Sequence, residues 1–459
     1  MIEQGSSNSF ISATNLDRIA GLEKIISSDL ISEALAASSK EDSRTSPLTY
    51  AVMMRVVLAM GLFTNRSIRQ VFKACRRGRK DDVLPSRSSL CMARQRLGSQ
   101  PVVDLHRMVV SPLATLETPG AFYKNMRKVS IDGTICDAPD CPGLQKLGRS
   151  SGGRGGAPFP QVRKLSLVEL GTHVELALTY GRWGDSERKL LPNLVDSIPD
   201  DALLMLDSGF YSFKWWKRLH DKHKILARVQ KSMVFEPLEI FADGSYLAKV
   251  YRANWYRQKD SGGIVVRVIE YTIDDPQRTG HQERHVLITN LLDAQEHPAD
   301  EMICEYHERW EIEITFDEQK THQDPVRAEK ATNFRSETMD GLKQEIYALS
   351  LAHFVVRALM FEAAKEKQID VDRLSFKGCF EIIKTRLPEY HPHDGLSRLE
   401  QWFEALIWEI GQETIPRRRN RINPRVIKRK MSNWQKARPH HRKQKTLEKT
   451  FKETIVMLH

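Results

Sequence analysis

RKVSIDGTIC, residues 127–136, alternates apolar and polar side chains with the period of a β-strand and carries an acid, Asp132, inside the run. The Gly-rich stretch GLQKLGRSSGGRGGAP (143–158) follows, then RKLSLVEL (163–170) and HVELALTYGRW (173–183), which read as two strands joined at Gly171 and Thr172. A helix is expected over DSERKLLPNLVDSI (185–198). Next comes ALLMLDSGF (202–210), a short apolar strand closed by a second acid, Asp207, and after it a helix in FYSFKWWKRLH and a strand in KILARVQ. The order is strand, strand, strand, helix, strand, helix, strand. With one acid on the first strand, another at the end of the fourth and a third on a later helix, this is the arrangement of an RNase H-like fold.

The third acid lies in YHERWEIEITFDEQK (306–320). Read as one helix at about 100° per residue, Tyr306, Arg309, Glu313 and Lys320 fall at roughly 0°, 300°, 340° and 320°, inside a wedge of about 60°. They are expected to share one face. A solvated face laced with charge pairs is the ordinary explanation of such a line. Beside two strand acids it acquires another, because three converging carboxylates repel one another unless divalent cations lie between them. Two hard ions with oxygen ligands, about 3.5 to 4 Å apart, are the usual resolution, and such a centre cleaves or joins phosphodiesters. Asp132, Asp207 and Glu313 are the expected metal ligands, with two Mg²⁺ ions and Mn²⁺ as a substitute. Arg309 and Lys320 would face incoming phosphates, and Tyr306 would offer a ring and a phenol to the DNA backbone.

Around this core the fold class is α/β: an RNase H-like mixed sheet with a β-strand insertion, a helical N-terminal domain and a helical C-terminal region. The expected domains are helical residues 1–117, which bind DNA ends; a catalytic domain over 118–325 with a β-rich insertion at about 230–285; helices over 326–415; and a basic tail over 416–459. Residues 16–117 carry apolar side chains at three- and four-residue intervals and include two basic helices, NRSIRQVFKACRRGRK and LPSRSSLCMARQRLG. Those helices are either solvated faces or docking surfaces for phosphates. The Gly-rich stretch lacks the GK[ST] ending of a P-loop and reads as a mobile basic connection.

The 459 residues carry 70 Lys and Arg against 59 Asp and Glu, a net charge of +11, which suggests a polyanionic partner. Much of that excess is local, since residues 417–445 hold thirteen Lys or Arg and no acid. The tail is expected to make nonspecific phosphate contacts, with Trp434 available to anchor it. Six cysteines without framework spacing point to a reducing compartment, and Cys136 and Cys141 lack the companions of a zinc site. No export signal and no run of 18 apolar residues is visible, so a membrane partner is not expected and the cytoplasm is, with the nucleoid when bound to DNA.

The spacing Tyr306, Arg309, Glu313, Lys320 resembles the YREK signature of the insertion sequence 4 family of bacterial DDE transposases. IDGT around Asp132 and LDSGF around Asp207 resemble that family's first two acidic motifs. The similarity extends to GLFTNRSIRQVFKACRRG (61–78), FPQVRKLSLVELGTH (159–173), RSETMDGLKQEIYALSLAHFVVRAL (335–359) and NPRVIKRKMSNW (423–434). The resemblance implies a transposase that binds the terminal inverted repeats of its element, cuts and joins double-stranded DNA including a target, and works as a homodimer in a synaptic complex. It also implies the strand insertion and, in several members, a flipped base and a hairpin intermediate. Trp255 could cap such a base or be an ordinary core or surface residue. Two other readings fit some of these residues: an RNase H-like nuclease or resolvase without strand transfer, and a domesticated DNA-binding protein that has lost mobility.

Overall fold

The computed structural model of the chain describes residues 16–42, 46–78, 83–151, 156–276, 278, 280–325, 332–390, 396–416 and 449–459. Among these residues the strands are β1 (Phe122–Tyr123), β2 (Met126–Asp137), β3 (Gln161–Glu169), β4 (Val174–Arg182), β5 (Ala202–Leu206), β6 (Lys224–Arg228), β7 (Glu239–Ile240), β8 (Tyr246–Val250), β9 (Ile264–Ile273), β10 (His285–Thr289) and β11 (Ile455–Met457). Parallel and antiparallel pairs are combined in one large mixed sheet of the RNase H-like class, with helical regions before and after it in sequence. The chain divides into two compact units.

The first unit takes the described residues up to 121, Asp132–Ser197 and Glu311–Ile415. Its N-terminal helices start on hydroxyl caps: Ser27, Thr49, Ser67 and Ser86 each accept a bond from a backbone N–H in the first helical turn. The apolar faces of these helices pack around the helix Met339–Glu366, which is capped by Thr338. That helix is long and apolar enough to cross a membrane, but 83% of its apolar window is buried, as in the core helix of a globular unit. Gly61 permits its close crossing with Tyr50–Leu62, since a methyl group there would meet the Ala348 carbonyl oxygen at 2.2 Å. β3 and β4 form the predicted hairpin, in register from Val162↔Arg182 to Glu169↔Val174. The helix expected over 185–198 is only Glu187–Leu190 followed by 3₁₀ turns, because Pro192 cannot supply a helical N–H.

The second unit comprises Phe122–Ile131, Ile198–Trp310 and the described end of the chain. Here β2, β5 and β6 run parallel, and β10, β9, β8 and β7 continue the order by antiparallel pairing. The strand-like runs expected between 230 and 285 are β7, β8 and β9, placed at this edge. β11 adds to β9 antiparallel, so the last residues of the chain are part of the sheet. The rest of the basic tail, including Trp434, lies outside the described residues, as does the middle of the Gly-rich stretch.

The segment 306–320 departs from its prediction. It is not one helix: Ala299–Glu308 ends at a turn, Glu311–Asp317 starts afresh, and Glu318–Gln323 is wound as a π-helix, with Asp324 N–H donating to the Gln319 carbonyl at 2.8 Å. Tyr306, Arg309, Glu313 and Lys320 are therefore not carried on a single continuous helix. Glu311 accepts the Gly171 N–H at 2.8 Å, and Glu318 is turned inward onto Arg357.

Candidate active site

In the second unit the last registered pair of the parallel β2–β5 ladder is Ile131↔Leu206, and the next residue in each strand's sequence is an aspartate, Asp132 and Asp207. Asp207 is half-buried, and its carbonyl accepts the Phe210 N–H at 2.9 Å to close the turn after the strand. Trp215 and Trp216 are buried behind that turn, as expected from their helix. Tyr306 is only 7% exposed, and its phenol donates to the Leu206 carbonyl at 3.4 Å. Burial pushes the Tyr306 phenol well up; the Asp207 charge adds to this and the Arg309 guanidinium opposes it. Arg309 lies 5.9 Å over the Tyr306 ring. Asp207, Tyr306 and Arg309 are thus gathered around one strand end. Tyr306, expected to touch DNA, is turned into the protein and orders that end.

In the first unit Asp132 is half-buried on β2, and its Oδ1 accepts the Gly133 N–H at 2.7 Å. Lys320 donates through Nζ to the Ile135 carbonyl at 2.6 Å and to Thr134 Oγ1 at 3.3 Å. Residues 132 and 134 share a face of an alternating strand, so the ammonium is held on the face that carries the first acid. Glu313 is exposed on Glu311–Asp317, whose inner positions Ile312 and Phe316 are buried.

The first unit also contains an ionisable network that sequence reading missed. His173, Glu311 and Asp372 are buried with donor atoms within 4.8 Å of one another, a constellation that could hold a metal. Arg357 Nη2 lies 2.5 Å from His173 Nδ1. His173 Nε2 faces Asp372 at 3.3 Å and Glu311 at 3.8 Å. Burial disfavours charge on the neighbouring Glu318, yet Arg357 and the contacts with His173 and His353 outweigh it and hold the carboxyl well below its ordinary range. No signal in the sequence joins residues so far apart along the chain.

Residues 16–107 match the family model for the insertion element 4 transposase N-terminal region, and residues 124–355 match that for the transposase DDE domain. The chain is 27% identical over 427 residues to the transposase InsG for insertion sequence element IS4 of Escherichia coli K12, covering 89% of this chain and 92% of that one. Among solved structures, the piggyBac transposase in a synaptic complex with hairpin DNA aligns over 86% of each chain. Its identity is 11% and its TM-score of 0.43 is too low to support an argument.

Proposed function

The chain belongs to the insertion sequence 4 family of DDE transposases, and from that membership we propose that it binds the terminal inverted repeats of its element and cuts and rejoins DNA there by two-metal chemistry. It is the transposase of an insertion element, a DNA-acting protein whose DDE domain uses divalent metal. The observation that carries the finer reading is the pair of aspartates following Ile131 and Leu206, register partners on parallel strands. Asp132, Asp207 and Glu313 are the proposed ligands. Their donors are all carboxylate oxygens on half-buried or exposed side chains, a set suited to Mg²⁺, with Mn²⁺ in its place, and open to a hydrated ion.

Bound there, a pair of such ions would supply Lewis acidity and an activated water or 3′-hydroxyl. The chain's own residues do the remaining work. The carboxylates fix where the nucleophile and the leaving oxygen lie. Lys320, anchored to the β2 backbone, presents a cation to the scissile strand. Arg309 offers a guanidinium fork to a neighbouring phosphate, and Tyr306 keeps the Asp207 strand end in place beneath it. The domains proposed for these tasks are residues 1–117 for binding element ends and 118–325 for catalysis, with a homodimer pairing two ends.

The test is strand transfer. Purified protein with labelled inverted-repeat ends, a target plasmid and Mg²⁺ is expected to give joined products, and Glu313→Gln is expected to bind ends without cutting them. Cutting with no joining under any metal would favour a nuclease or resolvase, and binding alone by the unaltered protein would favour a domesticated DNA-binding protein.

A further inference from the structure

Lys320 lies inside the π-wound turn Glu318–Gln323, a rare form of helix that occurs mostly as single turns and frequently at functional sites. Buried polar side chains pin that turn on both sides of the lysine. Before it, Glu318 is held by Arg357 and His353. After it, Gln323 Nε2 donates to the carbonyls of Leu349 at 2.9 Å and Gly61 at 3.1 Å, and the Gln323 carbonyl accepts the Thr64 hydroxyl at 2.8 Å. Between them a neutral amide, Gln319, directly precedes Lys320 and is only 1% exposed.

What Gln319 touches is an ion pair. Lys164 on β3 and Glu175 on β4 are buried, with Lys164 Nζ 2.7 Å from Glu175 Oε1, and Ser166 donates to the same carboxylate oxygen. Burial raises the Glu175 pKa, but Lys164 and Ser166 outweigh it and hold it down to about 2. Gln319 Oε1 accepts from Lys164 Nζ at 2.5 Å, and Gln319 Nε2 donates to Glu175 Oε2 at 3.1 Å. An ammonium has only donors and a carboxylate only acceptors, so a side chain that satisfies both needs one of each. An amide has them; an ionised carboxylate or an apolar chain does not. The sheet therefore grips the chain one residue before Lys320, whose Nζ reaches the Ile135 carbonyl and Thr134 Oγ1 on β2. All of these residues belong to the first unit.

We propose that Gln319 is a positioning residue for Lys320: by bonding both members of the buried Lys164–Glu175 pair, it fixes the π-wound turn on the sheet so that the Lys320 ammonium stays on the face of β2 that carries Asp132. This rests on the reading of Lys320 as the cation presented to the scissile strand. Lys164 and Glu175 act through Gln319 and touch no substrate.

The experiment has two readouts on the purified full-length protein. Acetylation by acetic anhydride, followed at each lysine by mass spectrometry without DNA or metal, reports how firmly Lys320 is held. Single-turnover cutting of labelled inverted-repeat ends, beside an end-binding isotherm, reports what that hold does. In Gln319→Met, similar in volume but without the amide's donor, Lys320 is expected to acetylate about fivefold faster, the factor of roughly one net hydrogen bond. Cutting is expected to fall about tenfold with end binding nearly unchanged, as for a misplaced group. Gln319→Met combined with Lys320→Met is expected to cut little worse than Lys320→Met alone, because no ammonium is left to misplace, whereas a merely structural role would add its own loss. Should Gln319→Met prove poorly folded, Gln319→Glu joined to Glu175→Gln exchanges amide and carboxylate around Lys164 and is expected to restore both readouts relative to Gln319→Glu alone. Unaltered acetylation of Lys320 in the folded Gln319 variants, or losses that add in full in the combined variant, would overturn the positioning role alone. Unaltered cutting by Lys320→Met would overturn the reading on which it rests.

Discussion

Lys320 Nζ donates to the Ile135 carbonyl at 2.6 Å, which ties the lysine of the signature to the strand that carries the first acid. A side chain so tethered is a positioned charge rather than a roaming one. Lys320→Met should lower DNA cleavage at saturating ends by about 10- to 100-fold while changing end binding less, because the charge is spent on the reacting phosphate. Single-turnover cleavage alongside a binding isotherm measures the split, and a uniform loss of binding with unchanged cleavage would count against this placement.

Glu318 and Arg357 are both buried and joined, with His353 on the same carboxylate at 3.1 Å. Glu318→Gln leaves the guanidinium buried without its counter-charge and should destabilise the protein by about 3 to 5 kcal/mol. Replacing both residues by apolar ones of similar volume should cost much less. Denaturant unfolding of the single and double variants tests the difference.

His106 is buried with its Nε2 2.9 Å from Ser350 Oγ, and burial lowers its pKa to about 4. The unfolded chain takes up this proton near pH 6.5, whereas the folded chain resists until about pH 4. Stability from this group is therefore full above pH 6.5 and is lost progressively as pH falls towards 4, by roughly 3 kcal/mol in total. His106→Gln should flatten that part of the stability curve, as read by melting temperature against pH.

The end of the chain is a strand, so truncation has a structural cost besides an electrostatic one. Removing residues 449–459 deletes β11, the Lys452–Asp300 pair at 2.7 Å and the stacking of Phe451 on His307 at 3.9 Å. A loss of about 2 to 4 kcal/mol is expected from the lost packing and pairing. Neutralising the basic residues of 417–448 without truncation should instead spare stability and reduce the salt dependence of DNA binding. Calorimetry on both variants separates the two effects.

Much of this molecule was legible in its sequence because the signals were local. Period-two runs located β2 to β6, the apolar segment before Asp207 marked a fully buried strand, and the acids stood beside glycine turns. Reading 306–320 as one helix carries its periodicity through Arg309 and Trp310, where the structure has a turn, and the buried partners of Glu311 and Glu318 lie far away along the chain. Tyr306 is expected beside DNA from its place on the aligned face, and a helical wheel carries no information about which face the protein covers.

The central claim is that Asp132, Asp207 and Glu313 grip the same metal centre, and Fe²⁺ can report this without any DNA chemistry. Loaded in place of Mg²⁺ and supplied with ascorbate and peroxide, Fe²⁺ generates hydroxyl radicals that cut the polypeptide next to wherever it binds. Fragments ending near residues 132, 207 and 313, all three suppressed by excess Mg²⁺ and by Asp132→Asn, are the predicted result. Cuts near one or two of these positions with the third untouched would contradict the account.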